Sequence, residues 1–572
     1  MPSILYILLR RLRLPLIALI VVYAIFVVGF VIIPMDGETH GMSFFDAFYF
    51  VSYIGTTIGF GEYTPQSSGV FTDAQRAWTL LAIYTTVITW IYGIGSLLTI
   101  LQDPAFKRLL KHSKFARTVS EVREPFFIVC GYGDTGSQLV QALSGENIRS
   151  IVIDINEDRI NELEVTDLRV PSLGVVADAS RAEVLLDAGI QREWCKGVLA
   201  LTTAESTNLS VAITAQLLNP KARFIARADS QAMQKNILSF GANEVINPFE
   251  TFADELALLI KSPSLYILFA WLFAKPGEAL TEPVFIKKGH WILCGYGRFG
   301  KAVYNQLSQA GVSVRVIEAD PNKRDVPSGT VHGSPTEAVN LEKAAVKDAV
   351  GIIAGTDNDP NNLSSLMTAL ELNPDIFTVA RQSEHQNAAI FEAAGLDIVL
   401  QRGEAVAHKM FALIRTPLLG DFLRIAIRFP DHKANMLVSR IIGAVNEEVP
   451  DLWEIRICKE ATPALHNKVM TDSVFVADLL RDPRNRQKNL HALPLFLKRG
   501  KGNVMLPEDD RLLQGGDIIL MCGTDHAEKL MRWTTENVNI IDYVLNGSVE
   551  SHSYVIRWFR KFFAKYASHS TS

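Results

Sequence analysis

Two uncharged apolar runs, residues 14–33 and 77–100, bracket a segment too short to cross a bilayer and return. No other feature limits the possible folds as strongly. At about 1.5 Å per helical residue, each run matches the roughly 30 Å of a hydrocarbon core. The first is longer than the apolar part of a cleaved signal peptide, and no small-residue cleavage site follows it. Arg10, Arg11 and Arg13 precede the first run, and Lys107, Arg108, Lys111, Lys114 and Arg117 follow the second. The connection carries Asp36, Glu38, Asp46, Glu62 and Asp73 against Arg76 alone. The positive-inside rule then places both termini on the cytoplasmic side of the plasma (inner) membrane. A third apolar stretch, residues 265–274, is about half the spanning length and reads as a buried soluble helix.

The segment between the spans, SFFDAFYFVSYIGTTIGFGEYTP (residues 43–65), must therefore be re-entrant. Non-helical backbone persists at membrane depth only where protein buries it or water lines it. The glycines of Thr57-Ile58-Gly59-Phe60-Gly61 permit dihedrals that turn successive carbonyls to one side. Copies arranged around an axis then stack rings of oxygens able to replace the hydration shell of a potassium ion.

TTIGFGEYTP in this setting resembles the potassium-channel signature, in the two-span order of that family. Phe60 stands where tyrosine is commonest, and Glu62 where aspartate usually follows. The resemblance implies potassium held by Thr57, Ile58, Gly59 and Phe60 in a homotetramer within the lipid bilayer, since one copy supplies a quarter of each ring. Similar channels carry a hinge glycine near the middle of the inner helix. Here the glycines come late, at Gly93 and Gly95, either as a weak point or for close packing.

Beyond the spans, an internal repeat begins. FFIVCGYGDTGSQLVQAL (residues 126–143) and WILCGYGRFGKAVYNQL (residues 291–307) each run from a buried strand through G-x-G-x-x-G into a helix. The glycines are Gly131, Gly133 and Gly136, then Gly295, Gly297 and Gly300. Such turns bring a pyrophosphate to a helix N-terminus. An acidic residue ends the second strand of each copy, Asp154 and Glu318, at the offset of a carboxylate that reaches a ribose hydroxyl. Asp178 is an additional ligand contact, with Ser334 in the corresponding region of the second copy. NAD or ADP is the ligand these sites imply. Glu205, Asp357 and Asp359 are acidic positions for a divalent cation, or solvated loop residues.

Following a pore, the pair resembles tandem RCK (regulator of potassium conductance) domains, which assemble as a ring beneath the pore in related channels. The fold class is thus an α-helical two-span pore, two α/β Rossmann-like RCK domains, and an α+β lobe after the second, marked by Gly516 and Asp517 before IILMCG. The boundaries are a pore domain over 1–102 (outer helix 14–33, pore helix and filter 43–65, inner helix 77–100) and a linker over 103–124. The first RCK domain with its crossover helices covers 125–274, the second Rossmann lobe 289–420, the C-terminal lobe 421–545, and a basic amphipathic tail 550–572. That tail sets Trp558, Phe559 and Phe562 against Arg557, Arg560 and Lys561, suited to an anionic membrane surface or to docking on the protein's own ring.

A chain of 572 residues exceeds what one core supports, consistent with this division. A net charge of −5 without a basic stripe excludes a nucleic-acid partner. The five cysteines form no C-x-x-C pair and read as buried free thiols. A ligand-gated potassium channel is the function these features imply, with no enzyme activity. A membrane-anchored NAD-dependent oxidoreductase is the alternative, and it lacks an identifiable acid or base to face a nicotinamide. A non-conducting nucleotide sensor is the third reading.

Overall fold

A long run of uncharged apolar residues offers its backbone no polar partner but itself, and both runs are helical, over Ile4–Ile32 and Asp73–Gln102. The computed structural model describes residues 4–37, 39–57, 71–274, 276–280, 286, 289–445 and 448–547, and the chain divides into two units, Met1–Val122 and Arg123–Ser572. Only 22% and 17% of the apolar windows of the two long helices are buried in the chain. Leu14, Ile20, Leu80 and Ile88 project outward, which suits lipid or a neighbouring subunit rather than a soluble core.

Ser43 caps a short helix, Phe44–Gly55, its hydroxyl accepting the Asp46 N–H at 3.2 Å. That helix buries Ala47, Phe50, Val51 and Tyr53, with Phe50 edge-on to Phe30 at 5.0 Å between ring centres. The two long helices meet over Gly29, where a Cβ would come within 2.2 Å of the Trp78 indole nitrogen. That nitrogen donates to the Phe26 carbonyl at 3.3 Å. The inner helix stops at Asp103 because Pro104 disfavours helical geometry in the residue before it. A second helix, Pro104–Glu121, starts at once, so the linker is itself helical.

In the second unit, β-branched runs between glycine turns form two parallel six-stranded sheets. The first has the order Leu173–Val176, Arg149–Asp154, Phe126–Cys130, Cys195–Ala200, Arg223–Arg227, Glu244–Ile246. The second repeats it with Val331–His332, Ser313–Glu318, His290–Cys294, Gly351–Ala354, Phe377–Gln382, Ile398–Gln401. In both, the strand order reverses beside the first strand of the repeat, the switch point of a doubly wound fold.

Each repeat sends its last helix across to the other. Pro248–Lys261 packs on Arg298–Gln309, and Arg402–Arg415 on Asp134–Gly145. The short apolar stretch is the helix Pro263–Phe273, whose Leu265, Leu268 and Trp271 are buried with Leu437 and Phe496 of the C-terminal lobe. In that lobe an antiparallel four-stranded sheet is closed by Asp517, a fully buried carboxylate gripped by two Arg499 nitrogens at 2.7 Å each. Four cysteines are buried, but Cys458 is half-exposed, because it lies just past the end of the strand Asp451–Arg456.

The crossing helices enclose a cavity of about 490 Å³ lined by Asp254, Glu255, His408, Lys409, Tyr266 and Phe273, among others. Burial pushes Asp254 up to about 6 and Glu255 up to about 7, against the pull of Lys409. Since the folded value of Glu255 lies above its ordinary one, its ionisation on folding costs stability, and that cost grows as pH rises toward 7. Glu255→Gln should therefore melt higher than the parent at pH 8, by the equivalent of about 1–3 kcal/mol, with the difference vanishing near pH 4. A lower melting point at pH 8 would show that the ionised carboxylate is instead stabilising through Lys409.

Candidate functional site

In the first repeat the glycine turn is dictated by close approach. Gly131 has φ +107°, and a Cβ on Gly136 would lie 2.1 Å from the Gly131 carbonyl oxygen. Gly295 (φ +92°) and Gly300 reproduce this in the second repeat, again with 2.1 Å between the built Cβ and the carbonyl oxygen. The turns deliver the chain into helices that begin after Gly133 and Gly297, with their first N–H groups facing the switch point.

The two carboxylates brace these turns. Asp154 accepts the Tyr132 N–H at 2.6 Å and the Asn156 N–H at 2.8 Å. Glu318 accepts the Tyr296 N–H at 2.8 Å and the Lys323 ammonium at 3.0 Å. Burial pushes Glu318 up, but the Asp320 N–H, Lys323 and the Tyr296 N–H outweigh it and hold the group below the usual carboxylate range. Asp178 is held low by the backbone and side chain of Ser180.

Gly131, Gly133, Gly136, Asp154 and Asp178 come together around a cleft of about 270 Å³. Its wall includes residues that the motif did not indicate. Arg159 reaches across from the helix Glu157–Val165, its guanidinium 3.6 Å from Asp154 and 3.3 Å from where a Gly133 Cβ would be. Arg227, buried and paired with Asp229 at 2.9 Å, lies at the carboxyl end of its strand. Thr202 is fixed by the buried Asn208, which accepts its N–H at 3.1 Å and donates to the Arg227 carbonyl at 2.9 Å. Ser383 and Gly403 come from the second repeat and complete the mouth. Aligning residues 246–263 with 400–417 would have exposed Gly403, since the two crossing helices correspond position by position.

Glu205 and Asp359 open the helices Glu205–Leu218 and Asp359–Leu372 rather than lying in loops, and both act as braces. Glu205 accepts the N–H groups of Asp229 and Ser230 at 2.7 and 2.8 Å, and Asp359 those of Ser383 and Glu384 at 2.7 and 3.0 Å. Asp357 pairs with Arg381 at 2.6 Å. Among the described residues no group of three or more His, Cys, Asp or Glu side chains is placed to hold a metal ion.

In the membrane unit the short helix ends at Gly55, and the chain turns at Thr57 with φ +57°. A helix carboxyl end carries partial negative charge and favours a cation. Ile58, Gly59 and Phe60 lie outside the described residues, as does the tail over 550–572. Gly93 and Gly95 sit within an unbroken helix, and a Cβ on either meets nothing within 4 Å in this chain.

Comparison with known proteins agrees with both units. The ion channel family matches residues 17–103, and the TrkA-N domain family matches residues 127–248 and 291–402. The chain is similar to probable potassium channel protein 2 of Methanocaldococcus jannaschii, 30% identical over 36% of this chain and 58% of that protein. It is similar to potassium channel protein 1 of the same organism, 24% identical over 39% of this chain and 65% of that protein. The chain thus spans about three fifths of the length of these relatives. A solved structure of the GsuK channel aligns over 93% of this chain and 99% of its own, at 17% identity and a TM-score of 0.45.

If the cleft of the first repeat takes an adenine nucleotide, Asp154→Lys removes both the ribose acceptor and the brace on Tyr132. Calorimetric affinity for ADP should fall at least about tenfold, or about 1.4 kcal/mol. Unchanged affinity would remove this cleft from consideration.

Proposed function

We propose that this chain, which joins a membrane segment of the ion channel family to two TrkA-N domains, is the subunit of a homotetrameric potassium-selective channel in the plasma membrane, opened or closed by an adenine nucleotide on its cytoplasmic side. The observation that carries the reading is the short helix Phe44–Gly55 between two spanning helices, whose carboxyl end hands the chain at Thr57 to the glycine-spaced segment. Four such ends converging on an axis supply partial negative charge, and the carbonyls of Thr57, Ile58, Gly59 and Phe60 supply the dehydrated cage. The outward-facing apolar residues of both long helices contact lipid and neighbouring subunits.

The regulatory ligand is NAD or ADP in the cleft of the first repeat. Its pyrophosphate lies on the helix that starts at Asp134, and its ribose on Asp154. Among the described residues of this cleft, two guanidinium groups, Arg159 and Arg227, face three carboxylates, Asp134, Asp154 and Asp178. That balance favours a ligand of low charge such as NAD over a triphosphate. The helix Pro104–Glu121 joins the inner helix directly to the first repeat and carries the ligand's effect to the pore. A ligand shifts that equilibrium only through its difference in affinity for the closed and open states.

Liposome flux tests the pore: the parent should pass potassium in strong preference to sodium, and Gly59→Ala should abolish conduction. Selective potassium flux at normal levels in that variant would mean the filter lies elsewhere. A flexible Gly/Ser insertion after Asp103 tests the route of coupling. Nucleotide affinity should change less than about twofold while the current loses its nucleotide dependence. An insertion variant gated as steeply as the parent would rule out transmission through the linker helix.

A further inference from the structure

The two glycine turns are nearly superimposable in chemistry, but the residues around them are not. Strand register pairs Asp154 with Val176 and Glu318 with His332, which sets the repeats in correspondence. On that correspondence Thr135 matches Phe299, Leu201 matches Gly355, Arg227 matches Arg381, and Gly403 matches Phe249.

At the first cleft the crossing helix arrives with a glycine. A Cβ on Gly403 would lie 2.8 Å from the Asp134 Cβ and 3.0 Å from the Thr135 nitrogen, so the helix presses on the first turn of Asp134–Gly145, and position 403 adds no side chain to the mouth. Arg227 faces the cleft. At the second cleft the positions of Thr135 and Gly403 are filled by Phe299 and Phe249, while Gly355, where the first cleft has Leu201, leaves room for the Phe299 ring. Phe249 and Phe299 are each 4% exposed. The Arg381 guanidinium, counterpart of Arg227, lies 5.5 Å from the centre of the Phe249 ring and 5.3 Å from that of Phe299. Arg298 covers Phe249 at 5.3 Å and reaches Asp229 at 3.4 Å. Phe299 stacks on Phe252 at 5.1 Å, and a Cβ on Gly355 would lie 2.5 Å from the Phe299 ring. Cations over aromatic faces and an ion pair make this filling cohesive rather than a loose side chain awaiting displacement. Lys323 engages Glu318 at 3.0 Å much as Arg159, also five residues past its carboxylate, approaches Asp154 at 3.6 Å, so the two clefts are alike in this pair.

We infer that the second repeat holds no nucleotide because the chain's own Phe249 and Phe299 occupy its cleft, so that each subunit binds one nucleotide, in the first repeat, beneath a lid that the second repeat supplies through Ser383 and Gly403. The inference rests on the reading that the first cleft takes an adenine nucleotide. It gives the two repeats different work: one binds, and the other closes over the ligand.

Titration calorimetry of the purified full-length protein with ADP, and separately with NAD, counts the sites. One molecule per chain is expected, lost in Asp154→Lys. Gly403→Phe should also lose it, and Phe249→Gly combined with Phe299→Thr should raise the count to two. Two molecules per chain in the parent, or one bound by Asp154→Lys with the parent's affinity, would overturn the closed second cleft while leaving nucleotide binding intact. No binding by the parent would overturn instead the reading on which the inference rests. Should the double variant fail to assemble by gel filtration, the parent count with Asp154→Lys still decides the question. An assembled double variant that binds a single ADP would show that the two rings are not what closes the cleft.

Discussion

The exchange of crossing helices between the two repeats is the interaction on which the cytoplasmic unit depends. Each repeat places its last helix on the glycine-turn helix of the other, so neither Rossmann core is complete alone. The burial is large: Val406, Met410 and Leu413 join the first core, and Phe252, Leu256 and Leu259 join the second. Because the second residue of each crossing helix, Phe249 or Gly403, stands at the other repeat's ligand mouth, one contact sets both fold and site. Glycine there leaves a cleft, and phenylalanine fills it. A change in how the helices lie would alter the first cleft and the packing of the second repeat together, which is the kind of two-state element a ligand can bias.

Much of this was legible in the sequence, for identifiable reasons. Apolar runs of spanning length, strands that end in G-x-G-x-x-G, and carboxylates at the end of the second strand are local patterns imposed by local physics, and Asp154 and Glu318 lie where the spacing put them. The carboxylates turned out to hold backbone N–H groups of the turn as well as standing at the cleft, a role that spacing alone does not reveal. Glu205 and Asp359 illustrate the converse. Their charge left a cation or a solvated loop residue open, and each instead accepts two backbone N–H groups of a neighbouring loop.

What the sequence withheld was long-range. Ser383 and Gly403 reach the first cleft from far along the chain; nothing in its neighbours marks Ser383, and Gly403 stands out only against Phe249 in the aligned crossing helices. Arg381 looked like a repeated element of a strand, equal to Arg227. The rings of Phe249 and Phe299, 5.5 and 5.3 Å from its guanidinium, separate their roles. The helical linker was also unassigned, although Pro104 supplied the signal for a helix start. In the membrane unit the reverse held. The aromatic helix capped by Ser43 and the turn at Thr57 follow directly from a segment that has no room to do anything else.

If the cleft regulates the pore, a nucleotide bound there changes how often the pore is open. Single-channel recording from the reconstituted protein, with ADP or NAD added to the cytoplasmic face, reads this directly. With a coupling of about 1–3 kcal/mol, open probability should change roughly 5- to 150-fold at low occupancy of the open state, while unitary potassium conductance stays the same. An open probability indifferent to saturating nucleotide, in a channel that calorimetry shows to be loaded, would contradict it.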